Sequence, residues 1–152
     1  MASSAAISLI LMGTLAPGAE ISIVPDSALS LGGIELGVPA ASVKSVLGSP
    51  SAERQTDDFL PVEMRYAGFT VWLDEAGRVG EILSTSPKYC TPQGACPGQP
   101  FSKVQALYGK PMVALREDGR YMEYYPTSDF PCWLQIAVES GTVRSIRSEC
   151  QP

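Results

Sequence analysis

The residues of this sequence that could take part in chemistry are carboxylates and cysteines, because the 152 residues include no histidine. Without an imidazole base, the usual serine and cysteine nucleophile arrangements are excluded, and a metal site would lack its commonest nitrogen ligand. Acids are adjacent at Asp57-Asp58 and at Asp74-Glu75. Both pairs lie in predicted turns, where nothing fixes the separation between two carboxyl groups that glycoside hydrolysis requires. We therefore expect no enzyme, no metal and no cofactor; a carboxylate-based hydrolase is a minor alternative.

The four cysteines favour disulfides over metal binding. Their number is even, and the sequence has neither a Cys-x-x-Cys pair nor a histidine to complete a zinc site. Two bridges would place the protein in an oxidising compartment. Cys132 and Cys150 fall opposite each other on two predicted neighbouring strands, close enough to bridge. Cys90 and Cys96 then pair by elimination, across a segment rich in proline and glycine.

The composition and the N-terminal segment indicate which partners and which compartment to expect for the protein. A net charge of −5 and a pI near 4.7 argue against nucleic acid, which would select a basic stripe. Residues 1–19 contain an apolar run, Ile7–Ala16, that resembles the hydrophobic part of a signal peptide and is too short to span a bilayer. We expect a secreted or periplasmic protein without a transmembrane span.

A repeated pattern predicts the elements that would position any site. The residues Gly37, Pro39, Val43, Gly48 and Pro50 recur in order as Gly98, Pro100, Val104, Gly109 and Pro111. Each copy predicts a short helix that opens at proline and closes at glycine. Apolar stripes on these helices are expected to face the core, namely Val43, Val46 and Leu47 in one and Phe101, Val104, Leu107 and Tyr108 in the other. The segment Phe69–Ile82 is likewise similar to the later segment Trp133–Ile146.

These repeats predict an α+β fold of two tandem units, each a helix followed by a three-stranded antiparallel sheet, with the helices on one sheet face. The predicted boundaries are an N-terminal arm at 20–36, unit 1 at 37–86, a disulfide-pinched linker at 87–97 and unit 2 at 98–150.

Strand periodicity predicts which side chains remain uncovered. Pairing Tyr66 with Phe69, and Glu139 with Val143, separates an apolar face from a polar one, and a bulge is expected in the strand at 79–85. Aromatic and charged residues share the uncovered side, and exposed Phe130 lies in the loop 126–131. The predicted partner-binding residues are Trp72, Tyr121, Tyr125, Phe130, Trp133 and Arg147. The alternative is that these rings pack against the arm or the other unit, with Phe130 tucked under its own loop.

The pattern Gly-x-Pro, Val, Gly-x-Pro followed by three strands resembles the BamE/SmpA/OmlA-like domain. In its duplicated form it is similar to the β-lactamase inhibitory protein (BLIP) family. The resemblance covers about residues 31–150 and includes the string Glu123-Tyr124-Tyr125-Pro126. It implies a sheet face that grips another protein, either as an inhibitor of a secreted enzyme such as a β-lactamase-like or cell-wall hydrolase, or as a cell-envelope assembly protein of the BamE type.

Overall fold

A computed structural model describes residues 20–152, so the signal-like segment at 1–19 lies outside the described residues. Each of the two α-helices is followed by four strands. In order the elements are β1 (Ile23–Val24), a 3-10 helix (Asp26–Leu29), α1 (Ala40–Leu47), β2 (Ala52–Gln55), β3 (Val62–Tyr66), β4 (Phe69–Leu73), β5 (Val79–Ser84), α2 (Phe101–Tyr108), β6 (Met112–Arg116), β7 (Gly119–Pro126), β8 (Cys132–Glu139) and β9 (Thr142–Cys150).

All nine strands belong to one mixed sheet, in the order β1-β7-β8-β9-β5-β4-β3-β2, with β6 also paired to β7. β1 runs parallel to β7, and the remaining pairs are antiparallel. The outer strand β2 is exposed along its length and carries Glu53 and Arg54. Charged side chains on such an edge disfavour pairing with another chain.

The prediction of two tandem helix-plus-three-strand units is wrong. Four strands follow each helix, and β5 pairs with β9 from Glu81 opposite Glu149 to Ser84 opposite Ile146, so the sheet continues without a break. A three-stranded sheet would leave a row of backbone donors and acceptors unpaired at its edge, and joining β5 to β9 satisfies both rows. Repetition in sequence revealed that an element recurs, but it carried no information about whether the two copies pair.

Both α-helices end at a glycine, as the sequence pattern predicted. Gly48 and Gly109 close α1 and α2 with φ of 80° and 83°, a left-handed conformation that glycine adopts without a Cβ clash. The prediction that the apolar residues of each helix face the core is wrong at one position in each helix, because Val46 and Leu107 are exposed. Each helix has only eight residues, so a narrow face suffices for its contact with the sheet.

One face of the sheet carries the core. The helices and the N-terminal arm cover this face, and the large side chains between them exclude water. Its fully buried members include Leu31, Ile34, Val43, Met64, Phe69, Ile82, Val104, Tyr124, Leu134, Ile136 and Ile146.

Strand register follows the sequence prediction closely and departs from it at one turn. Tyr66 pairs with Phe69, as the alternation predicted. Glu139 pairs with Thr142 rather than Val143, because a bulge after Ala137 shifts the end of β8 by one residue. The expected irregularity in β5 is confirmed, since the register shifts between the Trp72 and Leu73 pairs of β4.

The two expected disulfides are confirmed, with Cα separations of 4.4 Å for Cys90–Cys96 and 3.8 Å for Cys132–Cys150. The second bridge joins directly opposed residues of β8 and β9. Within residues 20–152, no helix has the length and apolar character needed to cross a membrane.

Candidate functional site

The sheet face opposite the helices forms the candidate site, and we call it the open face. Its side chains alternate along each strand with those of the core, because successive residues of a strand point to opposite sides. The register places Arg54, Glu63, Arg65, Trp72, Glu81, Arg116, Tyr121, Glu123, Tyr125, Trp133, Gln135, Arg147 and Glu149 on this face.

A central row of side chains crosses five strands of the open face. Glu63, Trp72, Glu81, Glu149 and Trp133 are successive cross-strand partners. Three strand spacings separate the two tryptophans, which places their backbones about 14 Å apart. The row therefore joins the first half of the chain to the second on one surface.

Trp133 and Tyr125 form the aromatic part of the site on the β7–β8 side. Their ring centroids lie 6.3 Å apart. Trp133 Nε1 donates a hydrogen bond to Glu149 Oε1 at 2.9 Å, and the Tyr125 hydroxyl donates to Glu123 Oε2 at 2.7 Å. Burial and the neighbouring Glu123 carboxylate raise the pKa of Tyr125 to about 12. Both rings are thus fixed in orientation by a polar atom at their edge.

Arg147 links the two halves at the centre of the face. Its guanidinium lies 5.4 Å from the Trp72 ring centroid, within the range of a cation–π contact. Its Nη1 also donates to Glu81 Oε1 at 2.5 Å. One side chain from β9 therefore holds an aromatic residue of β4 and a carboxylate of β5.

Glu81 and Glu149 form an acid pair beside Arg147. Burial, with the charge of Glu81 as the next contribution, raises the pKa of Glu149, while Arg147 and the Trp133 N–H oppose the rise. Glu63 behaves in the opposite way, because a hydrogen bond from Arg65 lowers its pKa.

Carboxylates lie beneath arginines across the open face. The Glu123 side chain is only 1% exposed, whereas the Arg116 that pairs with it at 2.5 Å is 45% exposed. Glu63 is likewise buried beneath Arg54 and Arg65. The surface offered to a partner consequently consists of guanidinium groups and aromatic rings, with their counter-charges underneath.

A depression of 510 Å³ lies in the part of the open face built by β6 to β9. Arg116, Arg144 and Arg147 line it together with Tyr121. The Tyr121 hydroxyl donates to Asp118 at 2.6 Å, which fixes this ring at the rim. The open face is therefore concave at this point and can receive a projecting group.

The structure brings five of the six predicted partner-binding residues onto the open face, namely Trp72, Tyr121, Tyr125, Trp133 and Arg147. Phe130 is separate, in the connection between β7 and β8 at the end of the sheet. Glu123 was predicted to lie on the outward side of its strand but was given no role, and Glu81 and Arg116 were not identified. The strand parity that Glu81 and Arg116 share with the aromatic residues was a signal that could have identified them.

Within residues 20–152, no three His, Cys, Asp or Glu side chains are grouped so that they could hold a metal ion. The carboxylates of the open face are instead engaged by arginine, tyrosine and tryptophan donors.

Comparison with known proteins identifies similar folds among bacterial proteins. No family model and no curated protein matches the chain. An extracellular protein containing an SCP domain from Bacillus anthracis strain Ames aligns with a TM-score of 0.55 and 12% identity, over 76% of this chain and 44% of that one. A DUF4309 family protein (YjgB) from Bacillus subtilis subsp. subtilis strain 168 aligns with a TM-score of 0.51 and 14% identity, over 74% and 78%. The chain thus spans less than half of the first of these proteins.

These findings overturn the resemblance to BamE/SmpA/OmlA-like and BLIP domains. The similar structures are SCP-domain and DUF4309 proteins, and the fold is one continuous sheet. The motif behind the resemblance consists of glycines and prolines that begin and end helices. Such residues report local helix-end chemistry, which unrelated folds share.

Proposed function

We propose that this protein is a non-enzymatic binding module that holds another protein against its open face. The observation that carries the proposal is the composition of that face, where two tryptophans, two tyrosines and several arginines are displayed and no helix within residues 20–152 covers them. Tryptophan, tyrosine and arginine are the residue types enriched in the hot spots of protein interfaces.

Preorganisation supports the same conclusion. Trp133, Tyr125 and Arg147 each have a hydrogen bond to a carboxylate of the face. Ordering a long side chain on binding costs about 0.5–1.5 kcal/mol, and groups that are already held avoid part of this cost. The four lysines, whose chains are more mobile, all lie in helices or connecting loops rather than on the open face.

We further propose that the protein acts outside the cytoplasm, secreted or in a periplasm. The support comes from the two disulfides, from the signal-like composition of residues 1–19, and from a structural neighbour described as extracellular. In that setting the partner would be a secreted enzyme or an envelope protein. Inhibition assays against secreted hydrolases separate these two, since an envelope assembly protein would leave their activity unchanged.

The acid pair Glu81 and Glu149 does not favour hydrolysis. The two residues are directly opposed on adjacent strands of one sheet, so they do not face each other across a cleft that could admit a scissile bond. Arg147 also donates to one oxygen of Glu81, and the Trp133 N–H donates to one oxygen of Glu149, so both carboxylates are engaged by neighbouring side chains. A structural role at the β5–β9 junction accounts for these contacts.

Replacing Trp133 by alanine tests the proposal. Because Trp133 is only half-buried and lies on the open face, we expect Trp133→Ala to fold and to bind the partner about 2 kcal/mol more weakly, roughly 30-fold. The partner would be captured from secreted and envelope fractions, identified by mass spectrometry and titrated calorimetrically.

The matched control is Val46→Ala, which changes an exposed residue on the helix side of the molecule. It should bind as the wild type does. Equal affinities for wild type, Trp133→Ala and Val46→Ala would contradict the assignment of the open face.

A further inference from the structure

A second concave site lies at the end of the sheet, away from the open face. Its volume is 670 Å³, within the range of about 300–1,000 Å³ typical of small-molecule sites. The 3-10 helix, the segment before α1 and the β2–β3 and β7–β8 connections surround it, and the Cys132–Cys150 disulfide contributes to its lining. We call it the sheet-end cleft.

The walls of the sheet-end cleft are apolar. Leu29, Leu36, Leu60 and Val79 line its interior. Leu60 lies against the backbone of Gly80, where a Cβ would approach its Cδ2 to 2.6 Å, so the wall is closely packed at that point. An apolar group entering the cleft would lose its contact with water on several sides, which is favourable in proportion to the area buried.

Two phenylalanines stand at the cleft with most of their surface exposed. Phe59 is 65% exposed and Phe130 is 62% exposed, and each belongs to a different connection. Both connections are tied down by backbone hydrogen bonds, from Thr56 N to Pro61 O at 2.8 Å and from Gln151 N to Pro131 O at 2.7 Å. Large apolar side chains held in water on anchored loops are typical of ligand-binding sites.

The charges of the cleft have one sign. Asp26, Glu35 and Asp74 line it, and none of its described lining residues is lysine or arginine. Asp26 and Asp74 accept hydrogen bonds from backbone N–H groups, and Glu35 is exposed without an ion-pair partner among the described residues. Arg78 donates to the Gly37 carbonyl nearby but is not part of the lining. The cleft therefore combines apolar walls with a negative rim.

We propose that the sheet-end cleft binds a small organic cation, a molecule with an apolar body and an ammonium group. The apolar body would contact the leucines and the two phenylalanines, whose rings also attract cations through their faces. The ammonium group would lie near Glu35, where a carboxylate of opposite charge has no competing partner. This site is independent of the binding proposed for the open face.

Calorimetric titration with two probes of opposite charge tests the proposal. Octyltrimethylammonium and octyl sulfate share an alkyl chain and differ in the sign of the head group, and both are used below their micelle-forming concentrations. We expect saturable binding of one octyltrimethylammonium per protein molecule, and binding of octyl sulfate that is at least tenfold weaker.

Variants of the lining residues test whether the cationic probe binds in the cleft, and they distinguish the apolar contacts from the contact with the carboxylate. Phe59→Ser and Phe130→Ser should each weaken binding of the cationic probe several-fold, and Glu35→Gln should reduce its preference over octyl sulfate. The control Leu115→Ser changes a residue of β6 that is more exposed than either phenylalanine and does not line the cleft, so it should bind like wild type. Equal binding of both probes, no saturable binding, or wild-type binding by all three cleft variants would overturn the proposal.

Discussion

Single residues of the open face show how a polar surface is made rigid. Glu123 is buried because it accepts hydrogen bonds from both Arg116 and Tyr125, which lie over it. A carboxylate can be withdrawn from water only when its oxygens are paired in this way. Sequence alternation placed Glu123 on the outward side, yet the large side chains of its neighbours remove it from solvent. Alternation reports the direction of a side chain but not the size of what covers it.

Glu149 gives the residue-scale prediction. Because its pKa is raised in the folded protein, the folded state holds this proton more tightly than the unfolded state does. The contribution to stability is present below about pH 4.5 and is lost as the pH rises through the raised pKa. We expect Glu149→Gln to remove this loss, so that the variant gains stability relative to wild type between pH 4 and pH 7.

Urea denaturation at several pH values measures this difference. Glu63, whose pKa is lowered in the folded protein, affects stability in the opposite direction as the pH changes. Because it is present in both wild type and Glu149→Gln, its effect cancels when their unfolding free energies are compared. A free-energy difference between wild type and Glu149→Gln that stays constant over this pH range would count against the assignment.

At the scale of elements, the sequence predicted most pieces and missed their assembly. Helix ends at Gly48 and Gly109, the Tyr66–Phe69 pair and the opposition of Cys132 and Cys150 all follow from local chemistry or from period-two alternation. β2 and β6 were absent from the prediction, because β2 is exposed along its length and β6 is exposed at four of its five residues, so neither shows an alternation of apolar and polar side chains. The division of the chain into an arm, two units and a linker stays a prediction.

The two disulfides differ in the length of chain that they close, and this difference is testable. Cys132–Cys150 joins residues 18 apart, and Cys90–Cys96 joins residues 6 apart. In the chain-entropy model, loops of these lengths stabilise the fold by about 3 and about 2 kcal/mol. We expect the Cys132→Ala/Cys150→Ala variant to lose more stability than the Cys90→Ala/Cys96→Ala variant.

Denaturation of the two double variants under the same conditions gives the comparison. The reverse order of stability losses would show that local packing around the short loop outweighs the loop length.

At the scale of the whole molecule, the decisive feature is the junction of β5 with β9. Four cross-strand pairs there make one sheet from the two helix-containing segments and bring Trp72 and Trp133 onto one surface. The sequence could predict the repeat but not the junction, because strands of any antiparallel sheet share the same alternation. The sheet-end cleft could not be predicted from the sequence either, because its lining residues come from connections that are far apart in the sequence. Phe130 was predicted to bind a partner together with the residues of the open face rather than as part of a cleft, and Phe59 was not identified.

Because β5 pairs with β9, the two helix-containing segments should unfold as one cooperative body with a shared open face. Each segment contains one tryptophan, so Trp72→Phe leaves Trp133 as the reporter and Trp133→Phe leaves Trp72. Urea unfolding of each variant would be followed by tryptophan fluorescence and by far-ultraviolet circular dichroism. We predict that the two signals give the same midpoint in both variants, as a single two-state transition requires. A fluorescence midpoint that separates from the circular dichroism midpoint in either variant would show that the two segments do not unfold as one body.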